Sequence, residues 1–234
     1  MQIPLPLGFN PQQGFDDFHA GCNSEAVSHL HAFCDRSEQP FIYLWGAQGL
    51  GKTHLLNACC REAHGSGKLA AYIPLRSFAC GDFGIVEGLG QFDLIALDDF
   101  DAVAGDAAWE TAIFVLFNEL RDAGRQLLIA ANDTPSALPV ALPDLRSRLG
   151  WGLTLNLQPL SFEDTFKALS LLASSLGLDL SEPVARYLVT RHHHNLGDLQ
   201  NILMALDTAT LAAQRKLTVP FIKRYLQTRG AESA

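Results

Sequence analysis

The chain has 234 residues, 48% hydrophobic and 18% charged, with 17 Lys and Arg against 25 Asp and Glu for a net charge of −8. This composition excludes a disordered chain and fits one well-packed domain, or a core with a smaller annex; the acid excess does not favour tight duplex-DNA binding. The five cysteines (Cys22, Cys34, Cys59, Cys60, Cys80) show no C-x-x-C spacing, which points to a reducing, cytoplasmic setting and away from a zinc site or a disulfide framework.

Residues 1–8, MQIPLPLG, open the chain as an extended leader, because Pro4 and Pro6 forbid a helix. It is either a frayed terminus or a stiffened peptide of apolar anchors made to lie in another protein's groove. Neither a secretory signal nor an apolar run of membrane-spanning length is present. Phe9, Phe15 and Phe18 punctuate the polar loop that follows and are expected to pack it onto the core, bordering a nucleotide base. Asn23 or Ser24 caps a predicted helix with apolar positions Val27, Leu30 and Phe33.

The most informative stretch is FIYLWGAQGLGKT, residues 41–53. Four apolar residues, Phe41 to Leu44, predict a short buried strand, and a glycine-rich turn follows at once. Gly46, Gly51, Lys52 and Thr53 fall at the spacing G-x-x-x-x-G-K-[ST], with Gly49 between them. Glycines let the backbone wrap phosphate oxygens with its N–H groups, the lysine adds a mobile charge, and the threonine hydroxyl can hold Mg²⁺. Leu55, Leu56 and Cys59 continue as a helix whose positive end faces the anion. Strand, loop and helix together make this a P-loop.

Leu69–Ile73 predicts a second strand and Phe92–Leu97 a third, the latter ended by Asp98 and Asp99. An acid at the end of a buried strand downstream of a P-loop is placed to hold Mg²⁺, here Asp98; a second, Asp99, can orient the attacking water. Asp106 caps an amphipathic helix with Trp109, Ala112, Ile113, Leu116, Phe117 and Leu120 on one face, and Gly124 ends it. Leu127–Ala131 is a further strand ending at Asn132, which either reaches a γ-phosphate or forms a turn. A short helix then carries Arg146 and Arg148, before a last strand over Leu153–Leu157.

From Ser161 the pattern is helical throughout. Ser161 with Asp164 forms a capping box for a helix ending at Gly177. A second helix starts near Ser181, a third carries Leu199, Ile202, Leu203 and Leu206, and a fourth starts near Thr218 with Phe221, Ile222, Tyr225 and Leu226. Residues 1–159 carry 9 Lys and Arg against 18 Asp and Glu, residues 160–234 carry 8 against 7, so charge and periodicity change at the same place. The division is therefore a leader (1–8), an α/β core (9–159) and a small helical domain (160–234). His192, His193 and His194 point in three directions on a helix and read as a solvated end, not a metal site.

P-loop, paired aspartates, Asn132, the arginine segment and the terminal helices together resemble the AAA+ P-loop family. SRLGWGLTLNLQPLS resembles its DnaA-related branch; FDLIALDDFDAVAGDAAWE, QRKLTVPFIK and the leader QIPLPL resemble the Hda family of DnaA regulatory inactivators. The resemblance implies a parallel five-stranded sheet in the order 5-1-4-3-2 under a helical lid. It also implies ADP or ATP with Mg²⁺ at Gly46, Gly49, Gly51, Lys52 and Thr53, with Thr53 and Asp98 on the metal.

Further expectations follow from the same resemblance. Gln2, Leu5 and Leu7 match a peptide that binds the β sliding clamp of DNA polymerase III, and Arg148 matches an arginine finger acting on a neighbouring subunit's nucleotide. With Asp99 and Asn132, Arg148 completes the expected catalytic set. No DNA-binding domain follows the lid, so a regulator that stimulates ATP hydrolysis by DnaA, and represses re-initiation, is expected rather than an initiator; a self-contained ATPase or a passive adaptor are the alternatives. Neither specific DNA binding nor membrane association is expected, and homo-oligomerisation is left open. Where many AAA+ proteins carry a phosphate-touching lid arginine, this chain has Gly197 beside Asp198, which weighs against efficient hydrolysis of its own.

Overall fold

The computed structural model describes residues 8–36, 40–192, 196–213 and 218–223. Gln2, Leu5 and Leu7 of the leader therefore lie outside the described residues, as do His193, His194, Tyr225 and Leu226. The chain divides into two compact units with the main break between Gln158 and Pro159; residues 17–22 and 48–50 group with the second.

The first unit is built on five parallel strands, β1 (Phe41–Trp45), β2 (Ala70–Pro74), β3 (Leu94–Asp98), β4 (Gln126–Ala131) and β5 (Leu153–Asn156), in the order β2-β3-β4-β1-β5. Read from the other edge, this is the 5-1-4-3-2 order. Register runs Phe41 to Leu127, Ile42 to Leu153, Ile95 to Leu127 and Ile73 to Leu97. A parallel sheet needs cover on both faces, which is why β3 is buried along its whole length and reads as an unbroken apolar run.

Helices α1 (Ser24–Arg36), α2 (Lys52–Gly65), α3 (Ala107–Asp122) and α4 (Pro143–Leu149) supply the cover. Alternate strand residues Phe41, Tyr43, Ile95, Leu97, Leu127 and Ile129 pack with Trp109, Ile113, Leu116, Phe117 and Leu120 of α3. Burying each side chain of this size is worth about 1.5–3 kcal/mol. α2 packs on β2, β3 and β4, and α1 packs on α2. As expected, Asp106 caps α3, accepting from the N–H groups of Ala108 and Trp109, and Gly124 follows the helix at φ 65°.

Two expectations are corrected. Asn23 does not cap α1 with its side chain: that amide bridges both backbone groups of Gln158 at 2.7 and 2.9 Å and ties the start of α1 to the end of β5. β3 starts at Leu94, not Phe92, because a 3₁₀ turn over Leu89–Gln91 ends at Phe92 and the Asp93 carboxylate accepts from Leu69 N–H.

The second unit contains α5 (Phe162–Ser175), α6 (Glu182–His192) and α7 (Leu196–Ala213), with a helical turn at 219–223. Leu169, Val184, Leu188, Leu199, Leu203 and Ile222 form its core. Ser161 Oγ accepts from Asp164 N–H at 3.1 Å and donates to the Asp164 carboxylate at 2.7 Å, a capping box closed through the hydroxyl. Gly197 and Asp198 lie in the first turn of α7. Among the described residues no helix is long and apolar enough to cross a membrane.

Candidate functional site

β1 ends at Trp45, and the chain turns through Gly46–Gly51 into α2. Gly49 and Gly51 adopt φ 82° and 94°, a left-handed conformation that side chains disfavour, and Gly51 occupies the N-cap of α2 with no side chain to satisfy the first amides. Such a loop leaves its own N–H groups for an anion, and the helix end adds a favourable dipole.

Lys52, only 6% exposed, turns back over this loop. Its Nζ donates to Gly46 O at 2.6 Å, to Ala47 O at 3.0 Å and to Asn132 Oδ1 at 3.0 Å, so each ammonium N–H has a partner. Burial pushes its pKa down, while Asp98, Asp101 and Asp99 pull the other way. Asn132 in turn donates its backbone N–H and Nδ2 to the two Asp101 oxygens at 3.0 and 2.8 Å.

Asp98 ends β3 and is 2% exposed. One oxygen accepts from Thr53 Oγ1 at 2.6 Å and from the Tyr72 hydroxyl at 2.9 Å; the other accepts from Asp99 N–H. Burial raises its pKa, opposed by the Thr53 and Tyr72 hydrogen bonds. A hydroxyl and a carboxylate in direct contact are a fitting oxygen pair for Mg²⁺, which takes few protein ligands and leaves the rest to water and phosphate. Asp99, at φ 54°, instead turns its carboxylate to Arg76 Nε at 2.9 Å. With side chains 56% and 32% exposed, that pair is worth under about 1 kcal/mol and is easily released.

Gly46, Gly51, Lys52, Thr53, Asp98, Asp99 and Asn132 thus converge at the C-terminal ends of the adjacent strands β1, β4 and β3, where parallel sheets place ligands. Sequence reasoning missed Tyr72, Arg76 and Asp101, which hold Asp98, Asp99 and Asn132 in place. Only the DDFD run hinted at Asp101; nothing local marked the other two.

Arg148 is not brought to this site. It lies on α4 with its guanidinium carbon 5.9 Å from the rings of both Phe117 and Trp151. Phe117 meets Phe41, the first residue of β1, edge to face at 5.2 Å. The glycine loop follows the last residue of the same strand, about 15 Å on at roughly 3.3 Å per residue. Among the described residues Arg148 makes no ion pair, and the pairing with Asp144 that a plain surface arginine would show is not formed. Arg146 points elsewhere and donates to Val140 O.

Comparison with known proteins locates this arrangement. The family pattern described as "Hda, lid domain" matches residues 163–226, and "Bacterial DnaA ATPase domain" matches residues 84–156. The chain is an Hda/DnaA-related AAA+ protein. Among solved structures, domain III of the Thermotoga maritima replication initiation protein DnaA superposes with a TM-score of 0.84 at 22% identity, covering 94% of this chain and 98% of that one. AMPPCP-bound DnaA from Aquifex aeolicus gives 0.70 at 23% identity, covering 85% and 66%. The Thermotoga maritima RuvB Holliday junction branch migration motor gives 0.66 at 16%, covering 94% and 73%. At these identities the likenesses show the AAA+ fold; the two family patterns carry the Hda/DnaA relation. The glycine loop itself falls outside both patterns, and in this AAA+ chain it rests on its own geometry.

Proposed function

We propose that this AAA+ protein binds ADP or ATP with Mg²⁺ at the glycine loop and acts on DnaA in trans. Docked on the DNA-loaded sliding clamp through residues 2–7, it stimulates ATP hydrolysis by DnaA and so represses re-initiation of replication. The observation that carries this reading is the position of Arg148, on a helix whose neighbours stand at the start of β1 while the glycine loop stands at its end. An arginine so placed serves a nucleotide on another subunit. The Hda lid match and the AMPPCP-bound DnaA neighbours support the partner and ligand class.

In this reading Lys52 moves its charge from the Gly46 and Ala47 carbonyls to the phosphates. Thr53 and Asp98 would hold Mg²⁺, which neutralises phosphate charge when bound. Arg148 leaves its aromatic seat for the partner's nucleotide, where a planar, always charged guanidinium stabilises charge developing on the γ-phosphate oxygens.

The competing reading is a free-standing ATPase, favoured by Asn132 lying 3.0 Å from Lys52 and by the exposed, easily released Arg76 pair that now holds the Asp99 carboxylate. A hydrolysis assay on DnaA with clamp and DNA, this protein added last, separates the two. Acceleration that requires DnaA supports the trans reading; comparable turnover without DnaA supports the alternative.

A further inference from the structure

Glu110 lies in the first turn of α3, is 1% exposed, and is untouched by the site above. Its Oε1 accepts from Gly105 N–H at 2.8 Å and Ala141 N–H at 2.9 Å; its Oε2 accepts from Ala141 N–H at 3.0 Å and Leu142 N–H at 2.7 Å. Among the described residues no Lys or Arg pairs with it, so these backbone amides carry its charge. A carboxylate this buried is kept only when its oxygens are satisfied, and removing the acceptor strands several amides at once.

Those amides are not in random places. Leu142 is the N-cap residue of α4, whose side chain cannot cap, and Pro143 follows at the first helical position. Glu110 therefore supplies from α3 the acceptor that the start of α4 lacks. Seven residues further along the same face of α3 comes Phe117, whose ring lies under the Arg148 guanidinium. Leu145 and Leu149 sink into the core between these two holds. α3 thus holds the start of the arginine helix by a carboxylate, while its aromatic face seats Arg148 until the guanidinium is released.

We propose that Glu110 is a positioning residue that sets the aim of Arg148. The proposal rests on the trans-acting reading of Arg148. An arginine reaching into another subunit's site has little tolerance in direction, since a misplacement of about 1 Å in catalytic geometry can cost on the order of 100-fold in rate. Glu110→Gln keeps the shape but turns one acceptor into a donor facing backbone N–H groups, which must shift the 139–142 turn and with it α4.

The test measures stimulated hydrolysis by DnaA, with clamp and DNA, across a titration of wild type, Glu110→Gln, Glu110→Asp and Arg148→Ala. Each variant's active fraction comes from its nucleotide-binding stoichiometry. For Glu110→Gln the maximal stimulation should fall about tenfold, in keeping with a sub-ångström shift, at unchanged half-saturating concentration and full stoichiometry. Glu110→Asp, shorter but still charged, should fall less, and it serves as the arm should the Gln variant not fold. If maximal stimulation follows the active fraction, or equals wild type in both Glu110 variants while Arg148→Ala is dead, Glu110 only holds the fold and the proposal is overturned. If Arg148→Ala itself stimulates like wild type, the trans-acting reading fails, and the aim of Arg148 fails with it.

Discussion

Asn132 accepts from Lys52 through Oδ1 at 3.0 Å and turns its Nδ2 to Asp101 at 2.8 Å. Lysine offers only donors and aspartate only acceptors, so the amide has a single orientation. Asn132 in this form presents an acceptor to the P-loop lysine rather than a donor to a phosphate. Lys52→Ala should lower ATP and ADP affinity at least tenfold, the equivalent of a charge-assisted contact of roughly 1.5–3 kcal/mol. Asp101→Ala, which frees the amide to flip, should cost about threefold to tenfold, less than the charge-assisted bond itself is worth because Asp101 acts on the loop only through Asn132. Titration with fluorescent ATP and ADP analogues checks both, alongside a thermal melt that should stay near wild type for Lys52→Ala. Equal affinities would remove the loop from the binding site.

Replacing Arg148 should leave folding, nucleotide affinity and clamp binding intact while abolishing stimulation of DnaA. Fingers of this kind are worth about 10³–10⁵ in rate. Arg146→Ala is the matched control: it removes the same charge two residues away, whose bond among the described residues goes to the Val140 carbonyl. Single-turnover hydrolysis by DnaA should rank wild type first, Arg146→Ala close behind and Arg148→Ala near the unstimulated rate. A reversed order would assign the finger to the wrong arginine.

The leader is tested by pairing Gln2→Ala with Leu5→Ala. Prolines at 4 and 6 reduce the freedom lost on docking, so the anchors should dominate affinity. Gel filtration with the clamp should show co-elution for wild type and none for the double variant, at unchanged nucleotide affinity. Retained co-elution would make residues 1–8 a passive tail.

Acid stability of the helical unit should depend on Asp164. A hydrogen bond from His19 at 2.9 Å, then one from Ser161, holds its carboxyl at about 2, below the ordinary 3.8. A depressed carboxyl stabilises the folded form fully above the unfolded value and loses that contribution as pH falls through the folded one. The loss should therefore develop between about 3.8 and about 2. Asp164→Asn should lower stability at neutral pH and flatten the acid limb in that window, read by circular dichroism on matched pH series. Identical acid limbs would show that the His19 contact contributes nothing.

The strand–loop–helix of 41–53 was legible because its chemistry is contiguous: β1 must deliver the loop, and the loop must open α2. Asp98 was legible by its context: strands often end in Asp, but this one ends an apolar run one strand–helix unit downstream of the glycine loop. α3 and α5 announced themselves by period and cap, with Asp106 and Ser161 where local hydrogen bonding requires them. Tyr72, Arg76 and Glu110 were not legible. Their bonds span 26, 23 and up to 32 residues, and no local pattern distinguishes them from ordinary polar positions. They meet Asp98, Asp99 and Leu142 only because β2 pairs with β3 and because α3 packs beside α4. Gly152 is a like case: a Cβ there would lie 2.2 Å from the Phe41 carbonyl, an approach that the β1–β5 pairing imposes. Which residues form the glycine loop and the acid that ends β3 is thus written along the chain, in spacings that local backbone geometry demands. Which residues hold them in place, and that Arg148 faces away from its own loop, was decided by strand order and helix packing, because those contacts join segments that the sequence keeps far apart.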